Sequence, residues 1–198
     1  MFGLKKKGLM GIGMLIIFIS TILVSAVAAG VIIRSSGMLQ QKAFEIEEST
    51  RRRLVTRIDI VAMDAIGNVS SDSVIGFEVM TRLGAGSYPI SFTELGITFS
   101  CENFSISASY TNSTDPTNCS FSSLTADSEF CYSPVFGDNN DVLEFGDVAL
   151  IKFKFSENRT LTTNEDFLLS FIPSRGSILD LYSKTPLVIE KEKNRIRI

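Results

Sequence analysis

The sequence predicts an α+β protein, in which a long N-terminal hydrophobic α-helix is followed by an antiparallel β-sandwich domain of the immunoglobulin-like (Ig-like) type. Residues 9–33 contain no charged side chain, and good helix-forming residues continue to about residue 54. From residue 56 onward, short runs of β-branched and aromatic residues are separated by Gly, Pro, Asn and Ser turns. We therefore assign residues 9–55 to one helix and residues 56–198 to an outer β domain.

The apolar run of residues 9–33 is long enough to cross a membrane. At about 1.5 Å per helical residue it spans roughly 37 Å, against about 30 Å for the hydrocarbon layer. Because the run is apolar on every side, it must end in lipid or inside a protein assembly. Lys5, Lys6 and Lys7 precede it, which favours a cytoplasmic location for its start.

The residues alone leave three interpretations of this run open. It is a permanent single-span anchor, or a secretory signal cut at the Ala26-Val27-Ala28 sequence, or a prepilin-type (class III) signal. In the third case the leader, residues 1–8, is removed on the cytoplasmic side. The apolar helix then stays on the mature protein.

Four sequence blocks narrow this choice. They are a Lys-Lys-Gly leader ending at Gly8, Gly-Ile-Gly-x-Leu-Ile-x-Phe-Ile at Gly11–Ile19, Leu-Val-x-Ala-Val-Ala-Ala at Leu23–Ala29, and Leu-Gln-Gln-Lys-Ala at Leu39–Ala43. In order and spacing these blocks resemble the start of archaeal flagellins (archaellins). The resemblance implies that a prepilin-type signal peptidase cleaves between Gly8 and Leu9. Gly13 stands where bacterial type IV pilins carry a glutamate, so archaellin is favoured over pilin.

After the apolar run, residues 34–54 predict an amphipathic continuation of the same helix. Within the run, the pairs Ser25/Ala29 and Ala26/Gly30 have the small-xxx-small spacing that lets helices approach closely. The basic residues 51–53 are interpreted as a solvated helix face with ion pairs. A patch for anionic lipid is the alternative.

The β domain is predicted to contain eight or so short strands, as in a sandwich. The candidate runs are 57–63, 74–83, 90–92, 96–99, 142–145, 148–155, 167–172, 178–182 and 187–189, with 105–110 and 121–124 as weaker candidates. Short motifs that archaellins typically carry occur in family order at Ile66-Gly67, Gly86–Ile90, Gly146-Asp147, Pro173–Gly176 and Thr185-Pro186. Residues 101–140 lie outside this resemblance and are predicted to be a variable surface insertion.

Composition excludes several classes of function. The chain has 198 residues, no histidine and a net charge of −3. Ser-His-Asp and Cys-His catalysis and His-ligated metals are therefore impossible, and the mild acidity argues against a nucleic-acid partner. We predict no enzyme activity, no catalytic residue, no metal site and no cofactor.

The three cysteines, Cys101, Cys119 and Cys131, lie close together in the presumed outer domain. Outside the cytoplasm such clustering predicts one disulfide with one thiol left over, and the sequence does not choose among the three pairings. A zinc site is disfavoured because the spacing lacks a CxxC pair and no histidine is present.

Five Asn-x-Ser/Thr sequons are candidates for N-glycosylation: Asn68, Asn103, Asn112, Asn118 and Asn158. Asn118 is the weakest candidate, because its middle residue is Cys119, a candidate for the disulfide. The acidic loop of residues 137–141 is predicted to be a plain turn. It departs from the EF-hand calcium pattern, which needs an acidic or amide residue where Val142 stands.

The resemblance implies a structural subunit of the archaeal flagellum (archaellum) filament, which polymerises through its N-terminal helix for swimming motility. The implied partners are identical or related archaellins, the prepilin-type signal peptidase, the archaellum secretion and motor platform, and the membrane before assembly. The implied location is a cell-surface filament outside the cell. The alternatives are a membrane-tethered extracellular β-sandwich (a motor-anchoring envelope component or a binding module) and an adhesive type IV-like pilin.

Overall fold

The structure of the chain is a computed structural model that describes residues 3–68, 71–111, 119–159, 161–189 and 192–196, with side chains from Gly11 onward. The chain divides into two compact units, Met1–Ser49 and Thr50–Ile198.

The first unit consists of helix α1, which runs from Gly3 to Val55 and whose last turn, from Thr50, belongs to the second unit. The helix begins before Leu9 and so includes most of the predicted leader. Within it, the hydroxyls of Ser20 and Thr21 donate to the carbonyl oxygens of Ile16 and Phe18, both at 2.8 Å. These bonds satisfy the two hydroxyls inside an apolar helix without interrupting it.

The second unit is formed mainly by strands. They are β1 Ile58–Asn68, β2 Ser73–Leu83, β3 Ile90–Ser91, β4 Leu95–Cys101, β5 Ser105–Tyr110, β6 Glu129–Phe136, β7 Val142–Leu143, β8 Val148–Lys154, β9 Asp166–Pro173, β10 Leu179–Lys184 and β11 Lys193–Ile196. Nine of them form one sheet in the order β10-β9-β4-β5-β6-β8-β2-β1-β11, and β3 pairs with β7. A 3₁₀ turn, Phe92–Glu94, joins β3 to β4.

The large sheet folds over so that its two halves face each other. Strands β2 and β4 are four positions apart in the sheet order, which would separate them by roughly 19 Å in a flat sheet. Yet the ring centroids of Phe77 on β2 and Phe99 on β4 are 5.4 Å apart, and Phe77 lies 5.1 Å from Phe167 on β9. The prediction of a long helix followed by a mostly antiparallel sandwich is confirmed, with the parallel pair β5–β6 as the one exception among the described strands.

Phenylalanine fills the core between the two halves. Six phenylalanines are essentially inaccessible to solvent: Phe77, Phe92, Phe99, Phe130, Phe153 and Phe171. Burial of each such side chain contributes roughly 1.5–3 kcal/mol, and favourable ring pairs add about 0.5–1.5 kcal/mol. The aromatic content of the sequence is therefore used mainly to close the sandwich.

The predicted surface insertion at residues 101–140 is wrong for a large part of its length. It contains β5 and β6, which lie in the middle of the sheet, and Phe130 and Tyr132 on β6 are buried in the core. Strand β6 was not predicted, because Pro134 is a poor strand residue. The structure accommodates it where the register with β8 shifts, between Pro134 and Phe136.

Three smaller differences concern strand assignment. Residues 121–124 form a turn, and residues 187–189 are not in a strand although Ile189 is buried. Strand β11 was not predicted because its sequence, Lys-Asn-Arg-Ile, has no apolar alternation. Charge pairs hold this edge strand, since Arg195 Nε lies 2.6 Å from Asp64 Oδ1 on β1 and Lys193 pairs with Glu78 on β2.

Candidate assembly, processing and modification sites

Among the described residues, helix α1 carries most of the exposed large apolar side chains. Every side chain described from Gly11 to Ser49 is exposed, including Phe18 at 66% and Leu23 at 61%. Leaving so many large apolar side chains in water would cost tens of kcal/mol, at roughly 1.5–3 kcal/mol for each. The helix is therefore a surface that requires another apolar environment.

Small residues open this surface to close contact. A Cβ atom built on Gly11, Gly13, Gly30 or Gly37 would meet no atom within 4 Å. These glycines, together with Ala26 and Ala29, form shallow depressions on the helix surface, where a second helix could approach closely. The surface thus suits helix–helix packing as well as lipid.

The predicted cleavage site lies at the start of this helix. Gly8, the last residue before the apolar run, and Leu9, the first residue of the run, are both in the helical backbone of α1. Cleavage between them remains a prediction from the resemblance. Its chemical consequence is clear, because it would remove the side-chain charges of Lys5, Lys6 and Lys7 and leave only the new α-amino group of Leu9 at the start of the helix.

Two of the motifs that resemble archaellins meet at Thr56, just beyond the last turn of α1. The Oγ1 atom of buried Thr56 accepts a hydrogen bond from the amide of Tyr88 at 3.2 Å, and its carbonyl accepts one from the amide of Ser177 at 2.9 Å. Gly176 has φ of +143°, and a Cβ there would come within 2.9 Å of that carbonyl. The motifs at 86–90 and 173–176 therefore secure the start of the β domain.

Arg52, in the last helical turn, lies over the ring of Tyr88, with its guanidinium carbon 4.8 Å from the ring centroid. A cation–π contact of this kind contributes about 0.5–1 kcal/mol at an exposed site. Arg52 therefore makes an aromatic contact within the second unit, which the sequence did not predict, and the ion pairs expected for residues 51–53 remain a prediction.

The structure joins Cys119 to Cys131 and leaves Cys101 as a half-buried thiol. Cys119 and Cys131 pack with Leu124 in a small separate cluster. The ammonium of Lys152 donates to the carbonyl oxygen of Cys119 at 3.1 Å. Sequence spacing carried no signal for this pairing, because it depends on β6 lying beside β8.

Replacing Cys119 with serine is expected to lower the unfolding temperature of the outer domain by roughly 5–15 °C. The bond spans a sequence separation of 12 residues, and closing a loop of that size stabilises a domain by about 2–4 kcal/mol. Calorimetry of the detergent-solubilised chain measures the change. The matched control is Cys101→Ser, which removes only the free thiol. Equal shifts for both variants would contradict the assigned pairing.

Three of the five sequons lie on described, exposed residues: Asn68 at the end of β1, Asn103 between β4 and β5, and Asn158 after β8. The Asn103 amide donates to Glu165 Oε1 at 3.2 Å, a surface contact that a glycan would replace. Asn112 and Asn118 lie outside the described residues. Glycosylation at all five remains a prediction.

The acidic loop at 137–141 is organised by two tyrosines. The hydroxyls of Tyr110 and Tyr132 donate to Asp141 Oδ1 at 2.7 Å and 2.9 Å. Burial, and then the hydrogen bond to Asp141, raises the pKa of Tyr132 to about 12, and the same two causes raise the pKa of Tyr110. This carboxylate oxygen serves as a hydrogen-bond acceptor in a turn.

These raised tyrosine pKa values predict a loss of stability at alkaline pH. An unfolded tyrosine ionises near pKa 10, so the folded state retains protons that the unfolded chain releases above that pH. The stabilisation is complete below pH 10 and disappears as the pH approaches 12. Urea unfolding at stepped pH should show a weaker decline between these values for Tyr132→Phe. Exposed Tyr182→Phe is the control, and an equal change there would contradict the assignment.

Comparison with known proteins reveals consistent similarities. A family model described as archaeal-type flagellin matches residues 8–182. Flagellin B3 of Halobacterium salinarum is 31% identical over 195 residues, which cover 98% of this chain and 95% of that protein. Flagellin A2 of the same organism is 28% identical over 195 residues, with the same coverage of 98% and 95%.

Solved structures show the same fold. A chain of the archaeal flagellum of Methanospirillum hungatei strain JF1 matches with a TM-score of 0.69 at 14% identity, covering 95% of this chain and 99% of that one. Archaeal flagellin FlaB1 from Methanocaldococcus jannaschii matches with a TM-score of 0.62 at 14% identity, covering 71% and 96%. At this identity the likeness concerns the architecture of helix and β domain.

Proposed function

Because the chain belongs to the archaeal-type flagellin family, we propose that it is a structural subunit of the archaeal flagellum (archaellum) filament, which serves swimming motility. The observation that carries this proposal is the exposed apolar surface of α1, followed by a closed β domain with a core of its own. The role is structural, so it requires neither a catalytic residue nor a cofactor.

The proposed assembly uses the two apolar environments that suit the helix, which are lipid and the helices of other copies. Lipid holds the apolar helix of the precursor while Lys5, Lys6 and Lys7 stay in the cytoplasm. A prepilin-type signal peptidase then cuts between Gly8 and Leu9. Once those charges are gone, helices of many copies pack together through their apolar and small residues, and the β domains lie outside them. Head-to-tail repetition with a non-closing rotation makes the polymer an open helical filament.

The remaining partners are consistent with this route. The secretion and motor platform would supply energy from a separate ATPase, since the sequence contains no G-x-x-x-x-G-K-[ST] phosphate-binding loop. The finished filament would stand on the cell surface. Glycans on the exposed sequons would give it a hydrophilic coat.

The test is electron microscopy of filaments sheared from cells, followed by intact-mass analysis of the subunit. We expect filaments built of this chain, with a mature N-terminus at Leu9. An uncut Met1 on a chain that remains in the membrane would support a tethered envelope protein instead. A start near Ala29 or Gly30 would support secretion, and filaments needed for adhesion but not swimming would support a pilin.

A further inference from the structure

Arg34 is an isolated charge at the end of the apolar run. The chain contains no acidic residue before Glu45, so Arg34 has no carboxylate within ten positions on either side. Its helical neighbours three and four positions away are Gly30, Val31, Gly37 and Met38. Its own helix therefore offers no carboxylate that the guanidinium could reach.

This isolation matters once helices pack together, a premise that rests on the proposed function. Packing would remove Arg34 from water, and a buried charge without a partner is strongly destabilising. A guanidinium is best compensated by a carboxylate, because its planar donors match the two oxygens. In a bundle of packed helices, the carboxylates that can reach Arg34 are those on the helices of other copies. The available acids on the helix are Glu45 and Glu47, since Glu48 already makes an interaction in the single chain.

Helix geometry distinguishes these two acids. At 3.6 residues per turn, Glu45 lies only about 20° around the helix from Arg34, whereas Glu47 lies about 220° away, on the opposite side. In a head-to-tail polymer the two contacting patches are different, so one side of a helix meets the other side of its parallel neighbour. Glu47 is on the required side and Glu45 is not.

We infer that Arg34 of one copy binds Glu47 of a second copy, which is displaced along the helix axis by about 20 Å. That displacement is thirteen residues at about 1.5 Å each. Small residues accompany both partners: Gly30 and Gly37 near Arg34, with no atom within 4 Å of a Cβ built on either, and Ala43 one turn before Glu47. They leave room for the neighbouring helix and for the incoming side chain. The ion pair would thus set the register between neighbouring subunits.

Charge reversal tests this pair in the full-length chain, expressed in the cells that naturally produce it. Arg34→Glu and Glu47→Arg are each expected to reduce filament yield at least tenfold, because each places like charges together. The double variant R34E/E47R should restore the yield. Within one helix these positions are about 20 Å apart on opposite sides, so only a contact between copies explains restoration. The matched control is R34E/E45R, which has the same charges on the wrong side and should not be restored.

Cysteine cross-linking provides a second measurement on assembled filaments. In a Cys101→Ser background, Arg34→Cys with Glu47→Cys should yield cross-linked dimers and higher species with a short bis-maleimide. Arg34→Cys with Glu45→Cys should yield at least fivefold less. Equal yields, no cross-link, or failure of the double charge reversal to restore normal filaments would overturn the pairing. A wild-type chain that forms no filaments would instead contradict the proposed function.

Discussion

Replacing Gly8 with valine is expected to leave the precursor uncut and to abolish filaments of this chain. The resemblance implies a peptidase that cuts directly after this glycine, and a β-branched side chain there obstructs the approach of the peptide bond. An uncut chain keeps Lys5, Lys6 and Lys7 at the end of the helix. A lysine at the centre of an apolar environment costs about 2.5–3.5 kcal/mol on the membrane-insertion scale, so these lysines oppose entry of the helix end into an apolar bundle.

Intact-mass analysis of the membrane fraction and microscopy of sheared filaments together measure this outcome. Gly3→Val is the matched control, since it alters another leader glycine away from the cleaved bond and should be processed normally. Gly8→Ala, which keeps a small residue, should still be cut. Abundant filaments that contain an uncut Gly8→Val chain would show that the leader assignment is wrong.

Phe77→Ala is expected to be the most destabilising single change in the β domain, at about 3–5 kcal/mol of unfolding free energy. Phe77 is fully buried, and its ring centroid lies within 6 Å of the centroids of four other phenylalanine rings. These rings come from both halves of the folded sheet. Truncation would leave a cavity at the point where the halves meet.

Urea unfolding of the detergent-solubilised chain, followed by near-ultraviolet circular dichroism of the tyrosines, gives the free energy. The control is Phe136→Ala, because this side chain is 73% exposed and should change stability by less than about 0.5 kcal/mol. A similar loss for both variants would mean that Phe77 does not link the two halves.

Local patterns predicted the elements whose residues repeat with a regular period. The runs 74–83 and 148–155 alternate in the sequence, and they became β2 and β8, which pair in register from Gly76 with Lys154 to Arg82 with Val148. In β8 the alternation also marks the buried face, whereas in β2 it predicts the strand but not its burial, since Gly76 to Val79 are all buried. Strand β6 could not be predicted from its sequence, because Pro134 interrupts the pattern of strand-forming residues. The structure accommodates Pro134 beside a bulge in the pairing of β6 with β8.

The candidate sites also fall into two groups, those that the sequence identifies and those that only the tertiary structure identifies. The apolar run, the basic leader and the five sequons are contiguous residues, so the sequence alone identified them. The contact between the motifs at 86–90 and 173–176 joins segments far apart in the chain at Thr56. Its members were visible only as short motifs of unknown purpose, because nothing in either segment specifies where the other lies.

By itself, the sequence determined that a helix with an uncharged apolar run at residues 9–33 precedes a β domain and that this run needs lipid or other chains around it. Hydrophobicity over such a length permits no other outcome, whatever the rest of the chain does. Only the tertiary structure decided which phenylalanines meet across the sandwich, that β5 and β6 run parallel, and that Cys119 joins Cys131. These are pairings between distant residues, and their energy depends on the packing of the whole domain.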